Sequence, residues 1–257
     1  MGILFNINQY AIGLNPLSKL NNPKKVTFSG NLNGDSFQIT SPERLFNEAA
    51  IRDMIAQSPE LKKILSENKI PIRLNMQELQ ELKNGHCRQT QDIATKIAQN
   101  LPSPLRNEVN IKSLREGALL HDFGKVLIPQ EILNKNGQLT NEERKIMNLH
   151  SEIGYNLLKN SINDRIVLEL VKYHHNNKVN HKDFVPDINL QILNIADRYS
   201  ALTENRVYKK AFTPQQALMI LFNDVQKGEI HPTLYNALVM AISATPAANT
   251  QANVNIS

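Results

Sequence analysis

The stretch that decides the fold reads HDFGKVLIPQEILNKNGQLTNEERKIMNLHSEIG and covers residues 121–154. Within it, the pair Asn136-Gly137 predicts a turn, and Thr140 with Glu143 forms a capping box that predicts the start of a helix. Outward from this stretch, in both directions, the strong apolar patterns repeat at helical spacing, without alternating runs bounded by hairpin turns. The sequence therefore predicts an all-α protein.

The predicted helices lie between two polar ends. The tripeptide Ser41-Pro42-Glu43 predicts the start of the first helix, with serine as the N-cap and proline in the first turn. This helix would turn four apolar side chains toward a core, namely Leu45, Phe46, Ala49 and Ile55. Helices are expected over about 41–65, 76–100, 103–122, from 140 onward, 164–175, 188–203, 214–225 and 232–243. Residues 1–40 are expected to form a flexible arm and residues 244–257 a disordered tail.

Length and composition narrow the class of protein. The 257 residues suit one domain with accessory segments. A single cysteine, Cys87, excludes an internal disulfide framework and fits a reducing compartment. The N-terminal residues lack an apolar run long enough for a signal peptide or membrane span, so we expect a cytoplasmic protein that does not bind membranes. The net charge is +5, but no basic run with interleaved aromatics indicates binding to a nucleic-acid polymer.

Ligand-type side chains fall within the apolar stripes of five predicted helices. Leu79, Leu82, Ile93 and Ile97 share a stripe with His86, and Ile111, Leu114 and Ala118 lead on to His121. The stripes together contain His86, His121 with Asp122, His150, His174 with His175, and Asp197. Only two of the seven histidines, His181 and His231, fall elsewhere, in predicted loops.

This set of side chains predicts a metal centre. One histidine on an apolar face is usually a hydrogen-bonded core residue. Several carboxylates and imidazoles buried together are not explained in this way, because each uncompensated buried ion costs on the order of several kcal/mol. Bound divalent cations would compensate these charges. Nitrogen and oxygen donors without thiolates suit iron, manganese, zinc or nickel.

These motifs resemble the HD superfamily of metal-dependent phosphohydrolases, and within it the HD-GYP group that hydrolyses cyclic di-GMP in bacteria. The similarity lies in residues 121–154, in YHH at 173–175 and in NIADRYSALTENRVYKKAFTPQQAL at 194–218. It covers about residues 76–240, so it implies an HD-GYP-like helical bundle over 76–243. Residues 41–75 are then an accessory helical segment.

The resemblance implies a role for each matching residue. The implied metal ligands are His86, His121, Asp122, His150, His174, His175 and Asp197, with Asp122 bridging two ions. Lys125 would act with Asp122 in catalysis by contacting the substrate phosphate, and Arg206 and Lys209 would also hold phosphate. For these three cations, ordinary solvated surface positions are the alternative.

The sequence also departs from the HD-GYP pattern. The Gly-Tyr-Pro loop that names the group is missing, because the segment between His175 and Asp197 is short and contains no glycine. Leu82 stands where some relatives carry a glutamate that recruits a third metal, which favours two metals. Ser200 stands where many relatives have a second aspartate.

The function implied is hydrolysis of a phosphodiester in a nucleotide or cyclic dinucleotide, with cyclic di-GMP as the first candidate. Two divalent cations, iron or manganese with zinc or nickel as alternatives, would activate the attacking water. Two alternatives stay open: a nucleotidase or phosphomonoesterase of the broader superfamily, and a catalytically silent module that binds nucleotide or a partner. A homodimer is also left open.

Overall fold

A computed structural model describes residues 42–175, 187–204 and 210–243. These ranges contain helices and no strand, which confirms the all-α prediction. The α-helices are α1 (Glu48–Ala56), α2 (Pro59–Glu67), α3 (Met76–Leu82), α4 (Arg88–Gln99), α5 (Ser103–Glu108), α6 (Ile111–Leu120), α7 (Gln130–Leu133), α8 (Asn141–Asn148), α9 (His150–Leu158), α10 (Arg165–Tyr173), α11 (Ile188–Thr203), α12 (Pro214–Gln226) and α13 (Pro232–Ser243). The predicted arm 1–40 and tail 244–257 lie outside the described ranges. None of the described helices is both long and apolar enough to cross a membrane.

The predicted start of the first α-helix at residues 41–43 was wrong. Pro42–Phe46 form a 3-10 helix, and α1 begins after Asn47, whose side chain accepts a hydrogen bond from the Ala49 amide at 2.9 Å. Asparagine satisfies the free amides of a first helical turn as well as serine does, so the cap moves downstream. Ala49 is consequently exposed rather than in the core.

The capping box predicted at Thr140 is confirmed, since the Thr140 amide donates to Glu143 Oε2 at 2.7 Å and the Glu143 amide donates to Thr140 Oγ1 at 3.2 Å.

The single helix predicted over 103–122 was wrong, because the chain forms two helices there, α5 and α6. The Asn110 side chain caps α6 by accepting from the Ser113 amide at 3.1 Å. Ile111 therefore lies at an exposed helix start and not in the predicted apolar stripe.

Two apolar clusters form the interior. The first contains residues of α1, α2, α3, α9 and α10, and it includes Leu45, Ile51, Phe123 and Ile153. The second contains residues of α4, α6, α11, α12 and α13, and it includes Ile97, Leu114, Leu193 and Leu238. Helices α6 and α10 contribute to both clusters: near their C-terminal ends, Leu120 and Val171 belong to the first cluster, and Ala118 and Leu170 to the second.

Residues from the predicted accessory segment share the first cluster with later residues. The rings of Phe46 and Phe123 meet edge to face with centroids 5.2 Å apart, and all described residues fall within one compact unit, 39–257. The division into segments 41–75 and 76–243 stays a prediction.

A close backbone approach joins the segment after α6 to α9. Phe123–Leu127 form a 3-10 helix, and a Cβ added to Gly124 would lie 1.9 Å from the His150 carbonyl oxygen and 2.5 Å from the Gly154 amide nitrogen. Only glycine allows two backbones to approach this closely. Gly124 therefore sets the distance between Asp122, two residues earlier, and His150.

Replacing Gly124 with alanine should destabilise the protein strongly, because the contacting atoms are backbone and cannot rotate away. We expect a loss of about 3 kcal/mol or more in the free energy of unfolding, or failure to fold. Gly154→Ala is the matched comparison, since its Cβ would approach Gly124 N and Val171 Cγ1 at 3.1 Å and should cost less. Urea unfolding of both variants measures this, and equal stability would contradict it.

Candidate metal centre

The predicted ligand residues converge where the two apolar clusters meet, and most of them lie at helix ends. His121 and Asp122 follow α6, His150 begins α9, and His174 and His175 follow α10. His86 lies in a π-helical segment, Lys83–Cys87, between α3 and α4, and Asp197 lies within α11. π-Helical turns are rare and are frequent at functional sites.

Three of the histidines are anchored in the same way. The ring Nδ1 atoms of His121, His150 and His174 lie 2.8, 2.6 and 2.8 Å from the carbonyl oxygens of Ala118, Met147 and Val171. Each carbonyl belongs to the last turn of a helix, where backbone acceptors lack helical partners. Because a carbonyl only accepts, the hydrogen bond assigns the proton to Nδ1 and leaves Nε2 facing the interior.

The two oxygens of Asp122 face different sets of imidazoles. Oδ1 lies 3.3 Å from His150 Nε2 and 3.9 Å from His174 Nε2. Oδ2 lies 3.4 Å from His121 Nε2 and 3.7 Å from His86 Nε2. The carboxylate thus stands between two sets of potential ligands: the first group (His86, His121 and Asp197) and the second group (His150, His174 and His175), each with ligand atoms within 4.8 Å of one another.

The second group fits a divalent cation. His150 Nε2 lies 3.1 Å from His174 Nε2 and 3.0 Å from His175 Nε2. Since the protons of His150 and His174 are held at Nδ1, these two Nε2 atoms present lone pairs to each other, which repel unless a positive charge lies between them. Burial lowers the pKa of both His174 and His175, that of His175 to about 4, and so keeps them neutral as metal binding requires.

The first group also fits a cation. His121 Nε2 is buried without a hydrogen-bond partner among the described residues, and His86 Nε2 lies 2.9 Å from Asp197 Oδ1. Burial raises the pKa of the Asp197 carboxyl, but the nearby imidazoles of His121 and His86 outweigh it and hold the pKa well below its usual range. An ionised carboxylate beside inward-facing imidazoles is a donor set for iron, manganese, zinc or nickel.

Lys125 is paired directly with Asp122. Its Nζ lies 2.6 Å from Asp122 Oδ2, and the lysine side chain is 18% exposed. Burial alone would raise the pKa of Asp122, but the charges of Lys125 and His121 outweigh it and hold that pKa well below its usual range. The ammonium of Lys125 therefore lies at the edge of the cluster, where it can reach an anion.

The remaining residues that the sequence analysis singled out lie outside the two ligand groups or outside the described ranges. Arg206 and Lys209 lie outside the described ranges, as does His181, whereas His231 is exposed just before α13, as predicted. Leu82 is partly buried against the first apolar cluster. Burial raises the pKa of the Cys87 thiol well above its usual range, so it stays protonated.

The sequence analysis missed one carboxylate, that of Glu204. Its Oε2 lies 3.5 Å from His86 Nδ1. Glu204 follows Asp197 by seven residues, which is two helical turns, so both could have been assigned to one face of α11.

The fold and the cluster together define an all-helical protein with a histidine and aspartate site suited to divalent cations. The family model described as HD domain matches residues 85–202. This match confirms the resemblance to the HD superfamily that the sequence motifs predict.

Several curated proteins are similar to this chain. "Cyclic di-GMP phosphodiesterase response regulator RpfG" from Xanthomonas campestris is 34% identical over 143 residues, which are 52% of this chain and 37% of that protein. "3'3'-cGAMP-specific phosphodiesterase 1" from Vibrio cholerae is 25% identical over 186 residues, covering 69% of this chain and 43% of that protein. The chain thus spans less than half the length of these relatives. The solved HD domain of the L. monocytogenes phosphodiesterase PgpH, in complex with cyclic-di-AMP, is 14% identical with a TM-score of 0.47 and covers 79% of this chain and 100% of that one.

The stability of the metal-free protein should fall between pH 7 and 9. Burial lowers the pKa of His121, but the Asp122 carboxylate outweighs it and raises this pKa to about 10, whereas an unfolded histidine titrates near 6.5. The stabilising proton is therefore fully bound below pH 6.5 and is lost from the folded protein as the pH approaches 10. For one proton, the free energy of unfolding falls by at most about 1.4 kcal/mol per pH unit.

Urea unfolding of chelator-treated protein at pH 7, 8 and 9 measures this slope. His121→Asn should flatten it, while His231→Asn, at an exposed position, should leave it unchanged. An equal slope in wild type and His121→Asn would show that His121 does not hold this proton.

Proposed function

We propose that this chain is a phosphodiesterase that uses two divalent metal ions to hydrolyse a cyclic dinucleotide, with cyclic di-GMP as the first candidate. The observation that carries the proposal is the position of Asp122, whose two oxygens face the two ligand groups separately. A carboxylate in this position can bridge two cations, as in the paired sites of phosphate-ester hydrolases. We further propose iron or manganese as the metals, and a cytoplasmic location.

Each group of side chains has a role in this proposal. His86, His121 and Asp197 would hold one cation, His150, His174 and His175 the other, and Asp122 both. When bound, the metal pair supplies an activated water and positive charge for the developing phosphate charge. Lys125 would donate hydrogen bonds to a non-bridging phosphate oxygen, where charge accumulates in the transition state. Arg206 and Lys209 are proposed to hold phosphate on the basis of sequence alone.

The proposed substrate class is supported by the relatives, whose names specify cyclic di-GMP and 3'3'-cGAMP as substrates. Because this chain has a short, glycine-free segment between His175 and Asp197, its pocket need not match theirs on that side. This segment is the reason to test phosphomonoesters alongside cyclic dinucleotides.

The purified protein, loaded with Mn²⁺ or with Fe²⁺ under anaerobic conditions, should hydrolyse a cyclic dinucleotide to a linear one. A panel of cyclic di-GMP, 3'3'-cGAMP, cyclic di-AMP, linear dinucleotides and nucleoside monophosphates, read by chromatography, identifies the substrate. Turnover of monophosphates alone would replace the proposal with a phosphomonoesterase. Bound metals without any turnover would favour the silent binding module.

Asp122→Asn is the negative control for this panel, because the amide cannot bridge two cations as a carboxylate does. It should bind less than two equivalents of metal and lose turnover. Asp53→Asn, on the exposed surface of α1, is the matched control and should change neither. Full turnover in Asp122→Asn would disprove the mechanism.

Lys125→Ala should retain both metal ions and lose mainly rate. Removing one positioned donor to the transition-state charge typically lowers kcat by about 10²–10³-fold. Lys135→Ala removes a partly exposed lysine whose Nζ lies 2.6 Å from Glu143 Oε2, so it controls for loss of a similar ion pair away from the site. Metal analysis and steady-state kinetics measure both quantities, and loss of metal from Lys125→Ala would assign Lys125 a structural role.

A further inference from the structure

His86 is held differently from three other histidines of the site. The Nδ1 atoms of His121, His150 and His174 each bond to a carbonyl three residues earlier, which fixes the ring and directs Nε2 inward. His86 lies in the π-helical segment Lys83–Cys87, and its buried Nδ1 has no hydrogen-bond partner in the described part of the chain. The anchor shared by the other three is therefore missing at His86.

A carboxylate faces this nitrogen instead. Glu204 Oε2 lies 3.5 Å from His86 Nδ1, and the His86 side chain is 3% exposed while that of Glu204 is 29% exposed. Glu204 directly follows α11 and caps its C-terminal end, since its amide donates to the Ser200 carbonyl at 3.0 Å. Gly85 leaves room for the carboxylate, because even a Cβ added there would lie 3.7 Å from Glu204 Oε1.

Helix α11 approaches the His86 ring from two sides. Asp197 Oδ1 lies 2.9 Å from Nε2, whereas Glu204 Oε2 lies 3.5 Å from Nδ1. The two ring nitrogens of an imidazole point in widely divergent directions. A cation bound at Nε2 beside Asp197 is therefore on the opposite side of the ring from Glu204, so Glu204 is placed to contact the ligand rather than the cation.

We propose that Glu204 is a positioning residue that accepts a hydrogen bond from His86 Nδ1 and thereby holds the Nε2 lone pair toward the cation of the first group. Carboxylates that bond to the far nitrogen of a metal-binding histidine fix its tautomer and raise its basicity, and their loss typically weakens metal binding about 10–100-fold. In this chain, Glu204 replaces the carbonyl anchor that the π-helical turn removes. The inference rests on the proposed metal centre.

Titration of the metal-free, full-length protein with Mn²⁺ alone, followed by calorimetry and by metal analysis at saturation, tests this role without using activity. Wild type should bind two equivalents. Glu204→Ala should still bind two at saturation, but one of them about 10–100-fold more weakly. Glu204→Gln should recover part of the affinity, because its side-chain oxygen can still accept the hydrogen bond.

The matched control is Glu67→Gln, which changes an exposed carboxylate of α2 and should bind Mn²⁺ like wild type. Unchanged affinity in both Glu204→Ala and Glu204→Gln would overturn the inference while leaving the metal centre intact. A drop to one equivalent at saturating Mn²⁺ would also overturn it, since Glu204 would then be a ligand itself. If wild type bound no Mn²⁺, the proposed function itself would fail.

If Glu204→Ala does not fold, the titration of Glu204→Gln still tests the inference, because glutamine keeps the length of the side chain and removes its negative charge.

Discussion

The carboxylate of Asp122 is 3% exposed and carries its negative charge in the interior. An uncompensated buried charge costs on the order of several kcal/mol, so the surrounding chain must supply positive or hydrogen-bonding partners. Lys125 does so from three residues away, and imidazoles do so from segments far apart in sequence. The close contact of Gly124 with α9 and the two-sided packing of α10 both serve to bring these partners to one point.

The ends of helices position the imidazoles around Asp122. A helix leaves its last carbonyl groups without partners, and in α6, α8 and α10 the imidazoles of His121, His150 and His174 occupy one of these acceptors each. The same hydrogen bond that completes the helix also orients the ring nitrogen toward Asp122. Helix termination and the assembly of the site therefore depend on the same atoms, so a change in a helix end also changes the position of the imidazole that faces Asp122.

The sequence predicted some helices with their observed bounds and placed the starts of others wrongly. Long periodic segments such as α11 and α13 were predicted with the observed bounds, because an apolar stripe at helical spacing has one structural meaning. The errors concern helix starts. Ser41 and Pro42 form a good starting signal, but Asn47 competes and caps α1, and Asn110 divides a segment that apolar spacing alone makes continuous. Several polar residues can each cap a helix, and local sequence does not rank them.

By itself the sequence determined the helical class and the set of nitrogen and oxygen donors, since both depend on residue type and on spacing within single helices. Only the tertiary structure decided that each oxygen of Asp122 faces a different group and that Glu204 stands behind His86. Helical spacing determines which residues share a face of one helix. The atoms that meet between helices depend on packing of segments more than a hundred residues apart, such as His86 and Asp197.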